Sequence, residues 1–215
     1  MHSTVRIAAV LALVCATTAE TAPTSRAGDC GPAIGWIFGG GGEVPDGGSA
    51  WIGPAETAGS TCIDDLAVRL NLFHSLIGDV IVRIGYDRDC DGSVDTQLVD
   101  LICRPGTDCA GGGGRGCEAN AAGDYAFTGD ATETFADPCP VDLVPADVCY
   151  GAVSTPGLEI FTGEMLGGCF RLYVEDAVAG ETGFLKAFLV SYTEQTCVVP
   201  VERASWGAVK AVFGD

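Results

Sequence analysis

One stretch constrains this chain more than any other: residues 62–95, CIDDLAVRLNLFHSLIGDVIVRIGYDRDCDGSVD. Leu66, Val68, Leu70 and Leu72 alternate with Ala67, Arg69, Asn71 and Phe73. After Ser75-Leu76-Ile77-Gly78 the alternation resumes with Val80, Val82, Ile84 and Tyr86. A period of two is that of a strand with one buried face; a helix needs 3.6. Two such runs around a short Gly-containing break predict paired β-strands. The second run leads straight into a group of aspartates, so the sheet delivers an acidic loop to one end of the domain.

The same pattern returns late in the chain. Phe170, Leu172 and Val174 alternate with Arg171, Tyr173 and Glu175; after a turn, Leu185, Ala187 and Leu189 alternate with Phe184, Lys186, Phe188 and Val190. These too are expected to pair. Helix signals are scarce and there are 31 glycines, which favours short strands and turns. The expected class is all-β, a jelly-roll β-sandwich. Residues 104–123 form a Gly- and Cys-rich loop. Its glycine run lacks the Gly-Lys-Ser/Thr of a phosphate-binding loop.

The chain opens with one arginine, an apolar run over residues 7–16 and small residues up to Ala22. That describes a secretory signal peptide over residues 1–22, cleaved near Ala19 or Ala22. The run is too short to span a bilayer, so no transmembrane segment is expected. The expected location is secreted, extracellular or periplasmic. Beyond Cys15 of the leader lie Cys30, Cys62, Cys90, Cys103, Cys109, Cys117, Cys139, Cys149, Cys169 and Cys197. An even set in an exported chain argues for disulfides rather than metal thiolates. Spacing suggests that Cys109/Cys117 and Cys139/Cys149 each tie off a loop, while the full connectivity stays open. With 29 acidic residues against 11 basic ones and a net charge of −18, the surface repels phosphate backbones, which excludes nucleic acid as a partner. Residues 23–43 read as a Gly-rich arm that Cys30 pins to the body, and residues 194–215 as a tail in which Trp206, Val209 and Phe213 share a helical face.

Several spaced motifs, in order over residues 44–193, resemble the P domain (P/Homo B) that follows the catalytic domain in kexin- and furin-type proprotein convertases and in bacterial subtilisin-like serine proteases. They are Val44-Pro45-Asp46; Ile63-Asp64-Asp65-Leu66-Ala67-Val68; His74 with Gly78-Asp79-Val80; and Phe161-Thr162-Gly163-Glu164. Gly168-Cys169-Phe170-Arg171-Leu172-Tyr173-Val174-Glu175-Asp176 and Thr182-Gly183-Phe184-Leu185 through Phe188 complete the set. Phe170 and Phe188 stand where the family usually has Trp, and Glu181 where it usually has Asp. The resemblance implies a non-catalytic jelly roll that packs against and stabilises a subtilisin-like domain. It also implies that His74 is a strand-end residue that packs and hydrogen-bonds.

The chemistry sits in Asp87-x-Asp89-x-Asp91-Gly92-Ser93-x-Asp95. Carboxylates at loop positions one, three, five and nine, a Gly at six and Ser93 at seven follow the spacing by which oxygen ligands wrap calcium. Leu98 occupies position twelve, where an EF-hand has its bidentate Glu. The expected metal ligands are therefore Asp87, Asp89, Asp91, Ser93 and Asp95, on a calcium loop between strands. The plainer reading is a solvated hairpin tip, because Asp and Gly favour turns for backbone reasons alone. Asp176 and Glu181 flank a later turn and are a second candidate cation site, while Asp64, Asp65 and Asp79 read as solvated strand-end charges. No Gly-x-Ser-x-Gly turn or other nucleophile signature accompanies His74. The expected function is a calcium-stabilised binding or accessory module for a partner protein or surface, with no catalytic residues. Two alternatives stand beside it: a stabilising or regulatory component of a separate subtilisin-like serine endopeptidase, and a metal-dependent hydrolase built on the acidic cluster.

Overall fold

The computed structural model describes residues 30–31, 35–107, 109, 116–131, 133–135 and 148–198. The signal peptide and most of the C-terminal tail, with its Trp206 face, lie outside these residues. The strands are β1 (Gly35–Gly39), β2 (Gly42–Val44), β3 (Ser49–Glu56), β4 (Cys62–His74) and β5 (Val80–Asp87). Then follow β6 (Val99–Cys103), β7 (Ala121–Thr128), β8 (Cys149–Tyr150), β9 (Cys169–Asp176) and β10 (Gly183–Gln195). The described helical pieces are two 3-10 turns, Ile77–Asp79 and Leu158–Phe161. None is long and apolar enough to cross a membrane.

Two sheets face each other. One runs β1-β10-β4-β7-β8, with β2 also paired to β10; the other runs β3-β9-β5-β6. The chain is an all-β sandwich. Leu66, Val68, Leu70 and Leu72 of β4 and Val80, Val82, Ile84 and Tyr86 of β5 are buried in one continuous core. Phe170, Leu172 and Val174 of β9 join them from the second sheet. Each fully buried aliphatic or aromatic side chain contributes roughly 1.5–3 kcal/mol. The alternation in the sequence therefore named the inward faces of β4, β5 and β9 correctly.

It did not name the neighbours. β4 and β5 were expected to pair, as were β9 and β10, yet each of these couples is split between the two sheets. β4 pairs with β10, and β5 with β9. The reason is the corner after His74. Ile77, Gly78 and Asp79 form a buried 3-10 turn that carries the chain from one sheet to the other instead of reversing it within one. A Cβ at Gly78 would collide with the backbone of Gly116 and Cys117, whose carbonyl accepts the Gly78 N–H. Only glycine lets the two segments approach so closely.

β10 carries a second departure. Its inward face begins at Leu185 but continues at Phe188 and Val190, leaving Ala187 and Leu189 half-buried. A bulge between Leu185 and Ala187 shifts the register by one and reverses the alternation. Gly41 lies against the carbonyls of that bulge, where a Cβ would collide. The Gly-rich arm thus contributes β1 and β2, both laid antiparallel on β10.

Four disulfides tie the described chain: Cys30–Cys149, Cys62–Cys197, Cys90–Cys169 and Cys103–Cys109. The pairing expected from close spacing is corrected at both points. Cys149 reaches across to Cys30, 119 residues away in sequence, while Cys109 bonds Cys103 at the end of β6, only 6 residues back.

Candidate metal centre

The acidic loop is anchored by Tyr86. This buried tyrosine donates its hydroxyl to the Met165 carbonyl at 2.7 Å and accepts the Gly168 N–H at 2.9 Å. Its backbone closes the loop: the Tyr86 carbonyl accepts the N–H groups of Asp95 and Thr96 at 2.9 and 3.2 Å, and the Tyr86 N–H donates to the Thr96 hydroxyl at 2.9 Å. Cys90 and Gly92 take positive φ values of 58° and 105°, turning the chain sharply between these points. The Cys90–Cys169 bond fastens the middle of the loop to the first residue of β9. Arg88 points away from the loop and grips Glu164 with two N–H···O bonds of 2.8 and 2.7 Å.

Within this frame Asp87, Asp89 and Asp95 each offer a carboxylate oxygen, and the three atoms lie within 4.8 Å of one another. Calcium–oxygen distances are about 2.4 Å, so two ligands on opposite sides of one ion stand roughly 4.8 Å apart. The three oxygens fit a single ion of that size. Asp91 is outside the group; its Oδ1 accepts the Ser93 N–H at 2.8 Å, a local turn bond. Of the four aspartates expected as ligands, the fold brings together three, and Asp91 instead accepts the Ser93 N–H.

Asp87 separates this site from an ordinary hairpin tip. Asp89 and Asp95 are exposed, whereas Asp87 is fully buried. Its Oδ2 accepts the Gly92 N–H at 2.8 Å and lies 3.8 Å from Arg171 Nη1, while Oδ1 has no hydrogen-bond partner. Burial pushes this carboxyl up, but the N–H of Gly92, the Asp89 side chain and the backbone of Asp91 and Cys90 outweigh it and hold Asp87 below the usual carboxylate value. An ionised, buried carboxylate with an unsatisfied oxygen is an acceptor awaiting a donor or a cation.

Arg171 was not singled out from the sequence. The signal was present in the strand alternation, which places it on the outer face of β9 beside the loop that Cys169 anchors.

At the second candidate cation site the two carboxylates have separate neighbours. Asp176 is buried, with its Oδ2 3.4 Å from His74 Nε2 and its other oxygen accepting the Val178 N–H. Glu181 instead accepts the Ser75 hydroxyl at 2.6 Å. The turn between them spreads the two carboxylates onto different partners. His74 ends β4, with Nδ1 2.8 Å from the Leu76 carbonyl. Asp64 and Asp65 are exposed as expected, but Asp79 is buried at the sheet-crossing corner rather than solvated.

No protein-family model matches the chain, and no curated protein matches it. Among solved structures the chain is similar to a serine protease of Aeromonas sobria in complex with its chaperone, at 12% identity over 77% of this chain, with a TM-score of 0.36. It is also similar to a serine protease of Aeromonas sobria at 10% identity over 79% of this chain, with a TM-score of 0.37. It spans 28% and 29% of those chains, under a third of their length.

Proposed function

We propose that this chain is an exported, non-catalytic module of P-domain type whose Asp87 loop binds calcium and thereby orders one end of the sandwich for a partner protein. One observation carries the metal assignment: a buried, ionised Asp87 has an oxygen without a hydrogen-bond partner in a group of three converging carboxylates. Turn geometry accounts for exposed aspartates that cap their own backbone. It does not account for burying a charge whose oxygen is left unsatisfied. Oxygen-only donors select a hard cation, and a loop lined by carboxylates suits calcium.

The P-domain assignment rests on the ordered motifs that run from Val44-Pro45-Asp46 to Phe188. The strand-end His74 supports it: it is buried against Asp176 and Leu76 rather than poised beside a nucleophile, and the neighbouring Ser75 hydroxyl donates to Glu181. That resemblance makes a separate subtilisin-like serine endopeptidase the first partner to test, by co-purification with calcium and with EDTA.

Thermal unfolding of the oxidised protein in excess EDTA and then in millimolar calcium tests the metal. At 100 times the dissociation constant, calcium is expected to add about 2.7 kcal/mol, a midpoint rise of roughly 5–10 °C. The rise is expected to vanish in Asp89→Ala. An unchanged midpoint in wild type sinks the assignment.

A further inference from the structure

We propose that Arg171 is a tethered counter-cation of the Asp87 loop, and that a bound divalent cation displaces it from Asp87, linking the metal site to the Trp51–Tyr173 face of the four-stranded sheet. The inference rests on the calcium reading above and adds a regulatory connection to it.

Arg171 stands at the junction of two surfaces. On one side its Nη1 is 3.8 Å from Asp87 Oδ2, and a Cβ placed on Gly92 of the loop would lie 3.0 Å from that nitrogen. On the other side its guanidinium lies over the Trp51 ring, 5.8 Å from the centroid. Trp51 in turn packs edge-on against Tyr173, with ring centroids 5.4 Å apart, and Arg83 lies over Tyr173 at 5.7 Å. Trp51 and Tyr173 face each other across β3 and β9, and Tyr173 faces Arg83 across β9 and β5. The row therefore crosses three strands of one sheet, with Arg171 at its edge toward the loop.

The physical conflict is simple. Among the described residues, Arg171 is the ion-pair partner of Asp87, and its side chain is largely buried. A divalent cation seated among Asp87, Asp89 and Asp95 would stand within a few ångströms of that guanidinium. Like charges at about 5 Å, one of them double, oppose each other strongly enough to cost roughly tenfold in affinity even at the dielectric of water. Arg171 has somewhere to go: the aromatic face it already covers accepts a cation. Movement toward Trp51 relieves the repulsion without exposing new charge, and it changes the surroundings of an indole that is 45% exposed.

Calcium titrations of the oxidised protein, followed in parallel by calorimetry and by tryptophan emission, decide the matter. Trp51→Phe assigns the signal among the three tryptophans. The expected result is a saturable emission change that tracks calorimetric binding in wild type and is lost in Trp51→Phe. Arg171→Gln is expected to bind calcium roughly tenfold more tightly and to lose the emission change. Should that variant unfold, Arg171→Met keeps the aliphatic stem and serves the same comparison. Calorimetric binding with a Trp51 emission that does not move overturns the linkage and leaves the calcium reading intact. So does binding to a folded Arg171 variant at wild-type affinity. Absence of calorimetric binding in wild type overturns both.

Discussion

β5 and β9 lie side by side, and a buried aspartate sits at each end of the pair. At one end Val80 faces Asp176, and at the other Asp87 faces Cys169, roughly 25 Å away along the strands. Both carboxylates are inaccessible to water. Asp176 has an imidazole facing one oxygen and a backbone N–H on the other. Asp87 has the Gly92 N–H on one oxygen, the backbone of Asp91 and Cys90 and the Asp89 side chain close by, an arginine at the limit of ion-pair distance, and an oxygen without a hydrogen-bond partner. At the first end the carboxylate faces the chain's own imidazole, although neither Asp176 Oδ2 nor His74 Nε2 makes a hydrogen bond. The second is held in place by a disulfide and two Tyr86 backbone bonds, yet its charge is only partly answered. What distinguishes the second end is convergence: Asp89 and Asp95 meet Asp87 there, the arrangement that could hold a metal ion.

The sharpest way to break this contrast is at the His74 end. His74→Ala removes the imidazole from a fully buried site and leaves Asp176 without it. Emptying a buried ring site and leaving a buried carboxylate without its neighbour costs about 4 kcal/mol, and calcium is expected to restore none of it beyond the shift seen in wild type. Urea unfolding measures this. A cost under about 1 kcal/mol would place the His74 end on the same footing as an exposed ion pair and end the comparison.

Next in size is the clamp at the other end. Cys90→Ser/Cys169→Ser releases a cross-link between residues 79 apart in sequence, for which about 3 kcal/mol is expected. Here calcium is expected to matter: the freed loop must be ordered by the ion itself, so the calcium midpoint in a titration moves to higher concentration. Unchanged calcium affinity would mean that Tyr86 alone positions the carboxylates.

The third test separates pattern from geometry. By spacing, Asp89 and Asp91 are equal candidates; by position, only Asp89 joins Asp87 and Asp95. Asp89→Ala is expected to abolish a calcium stabilisation of about 2.7 kcal/mol, and Asp91→Ala to leave most of it. Equal losses would show that the loop closes further around the ion and recruits the residue now bonded to the Ser93 N–H.

These tests also show what the residues reveal by themselves. Alternation is a statement about faces, because successive strand side chains point in opposite directions. So the inward residues of β4, β5 and β9 were legible while their partners were not. Whether the chain after His74 reverses or crosses to the other sheet depends on Gly78 fitting against Cys117, a contact between residues far apart in sequence. The same holds for the bulge at Leu185–Ala187 and for the bond Cys30–Cys149, which follows strand order rather than spacing. The aspartate loop was legible as a pattern, since its carboxylates are local. The burial of Asp87 and Asp79, and the approach of Arg171, are properties of the assembled sandwich.

The smallest expected effect concerns acid. The folded-state value of Asp87 lies below its ordinary value of 3.8, so its ionised form is favoured by folding. Such a group stabilises the protein fully above the unfolded pKa and loses that contribution as pH falls through the folded value. In calcium-free protein the window is therefore below about pH 4. The contribution is read as the difference between wild type and Asp87→Asn across that range, so that carboxylates common to both cancel. The expected outcome is a gap that is constant above about pH 4 and narrows in more acidic solution, with wild type the more stable at neutral pH. A gap that widens on acidification would mean that desolvation outweighs the Gly92 N–H and that Asp87 is buried at a net cost. The Asp87 end would then be less stable for its charge even before a cation arrives, and the contrast with Asp176 would be larger than the geometry alone implies.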